Sequence, residues 1–363
     1  MATPSQPSSD PHKQPHKSSP STGGLIVLAI IAIATAVGAY AVFQTDPWGQ
    51  SSPSSKDRFA LDLTAQMDVP AELLRYSESG QIDVTKYAAK ALAVDSLGRI
   101  YLAAQKSIEI LNPDGASLSR VETESTPSCL AVADDKHAEP GRVYAAVNRQ
   151  VVVVDAQGKI TDTWAPLNDK AVITAIATTP QTVLVADAGN RCVVQYSTAG
   201  ERLGEIGAEQ PDRDMPGFII PSPYFDLSVG NDETVSIVNP GMRRVETFTW
   251  DGQLQSVWGG AGSRLQDFFG CCNPSHVARL ADGRIVTSEK GIPRVKIYSA
   301  VGEFESVVAG PRQLEVSESA LGDARGDQND RVFDVAVDPQ GRILVLDPWK
   351  KCIRIFEAND VGR

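Results

Sequence analysis

Histidine and cysteine are scarce in this chain: four and five residues among 363. That leaves too few ligands for a metal-rich or disulfide-dense scaffold. Also missing are a phosphate-cradling loop ending in Gly-Lys, a nucleophile elbow, and the HExxH pair of a zinc protease. Positive charge is short as well, with 34 Lys+Arg against 45 Asp+Glu and a net charge of -11. An acidic balance of this size argues against a nucleic-acid partner. Hydrophobic residues at 42% and charged residues at 22% exclude a wholly disordered or coiled-coil chain.

Long apolar runs are absent but for one. Residues 1–24 are mostly Pro, Ser, Thr, Gly, Gln and His and are expected to form a disordered tail. Leu25 to Phe43 then runs nineteen residues without a charge. At 1.5 Å per residue this nearly spans the ~30 Å hydrocarbon core of a bilayer, and it is longer than the apolar stretch of a cleaved signal peptide. The expectation is an uncleaved signal anchor. Lys13 and Lys17 precede it and Asp46 follows, which puts the N-terminus in the cytoplasm and the rest of the chain outside. The first 43 residues hold two lysines and one aspartate, so the remainder carries -12 and prefers cationic or neutral partners. Residues 44–69 open as a polar, Pro/Ser-rich stalk.

Residues 70–363 repeat one phrase. It consists of a short β-branched run, an Asp/Gly turn, a second run ending in a small or acidic residue, and a third run ending in an aromatic. ALAVDSLGRIYLAAQKSIEILNPDG from Ala91 and DVAVDPQGRILVLDPWKKCIRIFEAND from Asp334 are the first and sixth copies. The residues before the second run, Gly98, Gly141, Gln181, Glu233, Gly283 and Gly341, are spaced by 43, 40, 52, 50 and 58. A period of ~40–50 residues with three or four strand-length runs per copy predicts the blades of an all-β, six-bladed propeller. The sixth copy lacks a fourth run. Leu73 to Val84 resembles a displaced blade end, so an N-terminal strand is expected to complete blade 6 and close the ring.

The segments VADAGNRCVVQYSTAGERLGEIG at Val185–Gly207 and WGGAGSRLQDFFGCCNPSHVARLADGRIVTSEKGIPRVKIY at Trp258–Tyr298 resemble NHL repeats, a TolB-like propeller type. The resemblance is strong in blades 3, 5 and 6 and weak in blade 2. It implies a six-bladed propeller used mostly as a binding platform. A minority of such proteins, lyases and lactonase-like hydrolases among them, hold a metal in the central funnel.

The extra chain length falls in inter-blade loops, 208–224, 259–275 and 310–331, which share the top face. The residues opening the innermost strands are Ala91, Cys129, Ala175, Asp226, His276 and Asp334. Asp226, His276 and Asp334 come from adjacent blades and are expected to converge, as candidates for a divalent metal or a general base. Cys271 and Cys272, with Asn273 next and His276 four residues after the second, and Cys129 at the same rim are, with Asn273 and His276, the redox or ligand-binding candidates. A ring disulfide, cross-linking elsewhere, a metal and a redox role all stay open for the adjacent pair. Cys192 and Cys352 sit in opposite blades, too far apart to bond, and are expected to be small core residues. Asp187, Glu289 and Asp347 are expected to accept backbone N–H bonds, and Arg191, Arg244, Arg294 and Lys351 to open third strands and tie blades together.

The favoured reading is therefore a membrane-anchored extracytoplasmic platform, not an enzyme, that binds a protein or small ligand on its top face. The alternative is a metal- or thiol-dependent enzyme or redox protein built on Cys271, Cys272, His276, Asp226 and Asp334.

Overall fold

A computed structural model describes residues 31–33, 35, 63–207, 217–318 and 332–359. The chain divides into two units, Met1–Asp62 and Leu63–Arg363. In the first, residues 31–33 and 35 are helical, and the expected tail, the rest of the anchor and residues 44–62 of the stalk lie outside the described residues. Among the described residues no helix is long and apolar enough to cross a membrane.

The second unit is six four-stranded antiparallel sheets. β1 spans Tyr76–Asp83. Blade 1 holds β2 (Ala91–Val94), β3 (Ile100–Ala104), β4 (Ser107–Leu111) and β5 (Ser117–Glu122); blade 2 holds β6 (Leu130–Val132), β7 (Val143–Val147), β8 (Gln150–Val154) and β9 (Ile160–Thr163). Blade 3 holds β10 (Ile173–Thr178), β11 (Thr182–Asp187), β12 (Cys192–Ser197) and β13 (Arg202–Ile206); blade 4 holds β14 (Leu227–Val229), β15 (Thr234–Asn239), β16 (Arg244–Thr249) and β17 (Leu254–Gly259). Blade 5 holds β18 (His276–Arg279), β19 (Ile285–Glu289), β20 (Arg294–Tyr298) and β21 (Phe304–Ala309). Blade 6 combines β22 (Asp334–Val337), β23 (Ile343–Asp347) and β24 (Cys352–Ala358) with β1.

Burial explains which runs go where. Every residue of β3, β7, β19 and β23 is buried, because a second strand is covered on both faces by neighbouring blades and must be apolar or small throughout. The outermost β9 has all four residues exposed, and β5 buries only Val121. The inner strands touch in a closed circuit, β2 to β6, β10, β14, β18, β22 and back to β2.

Ring closure follows the sequence expectation. β1 lies antiparallel on β24 from Tyr76 opposite Ala358 to Asp83 opposite Cys352, with a bulge between Glu78 and Gly80. The ring also takes in Leu63–Val69, part of the span read as stalk. Met67 is buried among Val295, Val308 and Leu314, and Gln66 accepts the Arg294 guanidinium at 2.6 Å.

The turn between first and second strands is written in the repeat itself. In DSLGR and DPQGR, Asp95 and Asp338 each accept two backbone N–H groups and the following arginine Nε at 2.6 Å. Gly98 and Gly341 take φ +78° and +76° there, a conformation that costs glycine no steric penalty. Arg191 and Lys351 are not strand residues: they occupy left-handed turn positions, φ +58° and +54°, one residue before β12 and β24. Arg244 and Arg294 do open third strands. Asp187 and Asp347 accept backbone N–H groups as expected, and Glu289 takes the Phe269 N–H at 3.2 Å.

Candidate functional site

The six inner-strand positions, Ala91, Cys129, Ala175, Asp226, His276 and Asp334, all line one central channel of about 310 Å³. Strand geometry brings three of them together. Asp226 directly precedes β14, His276 opens β18 and Asp334 opens β22, so each projects inward at the same height of adjacent blades. His276 Nδ1 lies 3.2 Å from Asp226 Oδ2 and 3.4 Å from Asp334 Oδ1.

The carboxylates are fixed by backbone. Asp226 accepts the N–H of Leu227 at 2.8 Å and that of Val277 in the next blade at 2.9 Å. Asp334 accepts Val335 N–H at 2.8 Å and, across the closure from blade 6 to blade 1, Leu92 N–H at 2.8 Å. Each aspartate thus stitches two inner strands together while presenting an oxygen to the imidazole. Hydroxyls do the equivalent work elsewhere in the ring: Ser128 Oγ donates to Ile173 O at 2.8 Å, and Thr174 Oγ1 donates to Phe225 O at 2.6 Å.

Electrostatics decides the protonation of this cluster. Burial alone lowers the His276 pKa, but the charge of Asp334 and the hydrogen bond and charge of Asp226 overcome it and bring it to about 8. Asp334 is pushed up to about 6, by burial first, with the His276 charge opposing and the Asp226 charge reinforcing the rise. Near neutral pH the cluster is an imidazolium held between two carboxylates. The donor set also suits a divalent ion: the Asp226, His276 and Asp334 donor atoms lie within 4.8 Å of one another. These three residues would hold such an ion, in place of the Nδ1 proton.

The thiols do not join them. All five cysteines are free. Cys129 faces the channel from the opposite side, and burial, with the Asp226 and Asp334 charges, drives its pKa far up. Cys271 is exposed and Cys272 is buried in a left-handed turn, φ +62°. Burial raises the Cys272 pKa, against the lowering effects of Ser222 and Lys290, so nearness to His276 in sequence does not activate it. The ring of His276 instead meets Tyr224 edge-on, with centroids 6.2 Å apart. Asn273 serves structure: its Nδ2 donates to Phe269 O and Lys290 O, and its Oδ1 accepts Lys290 N–H at 2.9 Å, binding the CCN loop to the β19–β20 turn. Cys192 and Cys352 are buried core residues, as expected.

On the top face the channel opens into a funnel of about 480 Å³. Four residues line both spaces and mark the throat: Lys90, Ser128, Thr174 and His276. The funnel wall comes from the segments 84–90, 172–174 and 346–351 of blades 1, 3 and 6, with Pro223 and Tyr224, rather than from the top of blades 4 to 6 alone. The long loops 208–216 and 319–331 lie outside the described residues. Lys90, Ser128 and Thr174 are not among the sequence candidates, although each immediately precedes a named inner-strand position, Ala91, Cys129 or Ala175.

No protein-family model matches the chain, and no curated protein sequence matches it. Among solved structures, one titled "Streptogramin B lyase structure" is similar over 74% of this chain and 78% of that chain, at 14% sequence identity and a TM-score of 0.48.

Proposed function

We propose that the protein is an NHL-type propeller that works as a binding platform, its top-face funnel receiving a small ligand or the tip of a partner protein. In this reading Leu25 to Phe43 holds the ring at a membrane, with the N-terminus cytoplasmic and the ring extracytoplasmic. The observation that carries the binding role is a funnel of about 480 Å³, within the ~300–1,000 Å³ of small-molecule sites, that ends on a fixed imidazole. With Nδ1 committed to Asp226 and Asp334, the second ring nitrogen of His276 is the one left for a ligand.

Binding is favoured over thiol or hydrolytic catalysis by what surrounds His276. Among the described residues no Ser, Thr or Cys side chain hydrogen-bonds to it, and the Ser128 and Thr174 hydroxyl protons are spent on backbone carbonyls. An imidazolium with no nucleophilic side chain in reach favours recognition as the task of the site. Thermal-shift screening of the full chain against a small-molecule collection tests this. Ala89→Trp, placed on the funnel wall, is expected to abolish the shifts of wild-type ligands. Ligands that stabilise the blocked variant equally well would sink the top-face reading.

A further inference from the structure

We propose that the ligand of this funnel carries an oxyanion, a carboxylate or phosphate group, seated in the funnel between Lys90, Lys351 and the His276 floor. The inference rests on the platform reading and adds the ligand's chemistry to it.

The funnel inverts the charge of the protein. In a chain of net charge -11, its wall carries two exposed lysines, Lys90 and Lys351, and its floor the His276 ring. Neither lysine has a carboxylate partner among the described residues, whereas Lys350, beside Lys351, is paired with Glu315. The carboxylates of Asp226 and Asp334 line the channel below and not the funnel, so the imidazole stands between them and a ligand. Asp347 is the one acid on the funnel wall among the described residues, and it is fully buried. Its Oδ1 accepts the N–H groups of Trp349 and Lys350, both at 2.9 Å, and its Oδ2 lies 3.7 Å from the Arg354 guanidinium. Arg354, which Glu78 also engages, offsets that charge in part from the side away from the funnel.

What remains open to a ligand is therefore positive: two ammonium groups above the His276 ring. The Ser128 and Thr174 oxygens, their protons already donated, add acceptors at the same throat for hydroxyl or amine groups on the ligand. Val84, Ala89, Val172 and Pro348 add apolar wall beside the charged end. An oxyanion attached to a small polar body satisfies all three features, whereas a cation would meet two ammonium groups and, among the described residues, no exposed carboxylate.

Isothermal titration of the full chain with citrate and with inorganic phosphate, using putrescine as the cationic control, tests the assignment. Citrate is expected to bind one-to-one and to weaken about tenfold or more in the Lys90→Gln/Lys351→Gln double variant, the scale of losing charge-assisted hydrogen bonds. Because both side chains are exposed, the variant's melting temperature should match wild type. Phosphate binding alone would point to a phosphate-bearing ligand, and citrate binding alone to a carboxylate. Equal binding by wild type and the double variant, no binding of either anion, or one-to-one binding of putrescine blocked by Ala89→Trp would overturn the proposal. The last of these leaves the platform intact, while anion binding indifferent to Ala89→Trp removes the platform itself.

Discussion

Replacing His276 with glutamine keeps the size of the side chain and removes the cation held between Asp226 and Asp334. The pKa of His276 is raised in the folded protein from 6.5 to about 8. A shift of that size is worth about 2 kcal/mol, and because a fifth of the side chain is accessible from the channel, solvent trims it to roughly 1–2 kcal/mol. The stabilisation is whole below the unfolded pKa, where imidazole is charged in both states, and is lost as pH rises through 8. Asp334, raised to about 6, acts in a lower window: its contribution falls as pH climbs from about 4 to 6, leaving the range from 6.5 to 9 to His276. For a ring of about 300 residues the melting entropy is roughly 0.6 kcal/mol per degree, so 1–2 kcal/mol corresponds to ~2–3 °C. The assay is the melting temperature of the full chain and of His276→Gln from pH 6.5 to 9. The variant is expected to melt at least ~2 °C lower at pH 6.5, with the gap closing by pH 9. Two curves that run parallel across that range would refute the imidazolium assignment.

Other expectations come from separate parts of the ring. Lys296 and Glu289 pair at 2.7 Å with no exposure of either side chain, and the ammonium also holds Leu265 O and Asp267 O. Lys296→Met is expected to cost about 3–5 kcal/mol by leaving a buried carboxylate alone, and adding Glu289→Gln should recover part of it in the same melt; a single-variant loss under ~1 kcal/mol would contradict the packing. Thiol titration of the native, unreduced chain should find one fast-reacting group, Cys271, and five after unfolding; fewer than five would reveal a disulfide. Alkaline carbonate extraction of expressing cells should leave the full chain in the membrane pellet and release a chain starting at Leu63, whereas release of both would remove the proposed anchor.

Much of this architecture was legible because it is periodic. Strand order, blade number and the completion of blade 6 by Tyr76–Asp83 follow from runs and turns that recur at fixed offsets, and local hydrogen-bond patterns enforce those offsets. The convergence of Asp226, His276 and Asp334 was legible for the same reason, since equivalent positions of a ring must face one axis. Pairwise packing between loops was not. Cys272 lies four residues from His276 yet turns toward Ser222 and Lys290, because Asn273 fastens the loop to a turn seventeen residues away. The Lys90 and Lys351 walls of the funnel come from chain segments some 260 residues apart, and no offset links them. The one-residue misplacement of Arg191 and Lys351 has a plain cause: the turn places one residue in left-handed backbone before the strand resumes, and a hydrophobicity pattern does not record φ.

The pairing of β1 with β24 sets a schedule on the ribosome. Tyr76 is synthesised long before Ala358, its partner, and at ~5–20 residues per second the interval is roughly 15–55 s. Throughout that time the first strand has nothing to lie on, and Tyr76 and Ile82, both buried in the finished ring, stay open to chaperones and proteases. Five blades can form as they emerge, but the circle locks only when the last strand arrives. A chain cut short anywhere before Cys352 keeps two bare sheet edges, on β1 and β23, and only the last strand removes both at once.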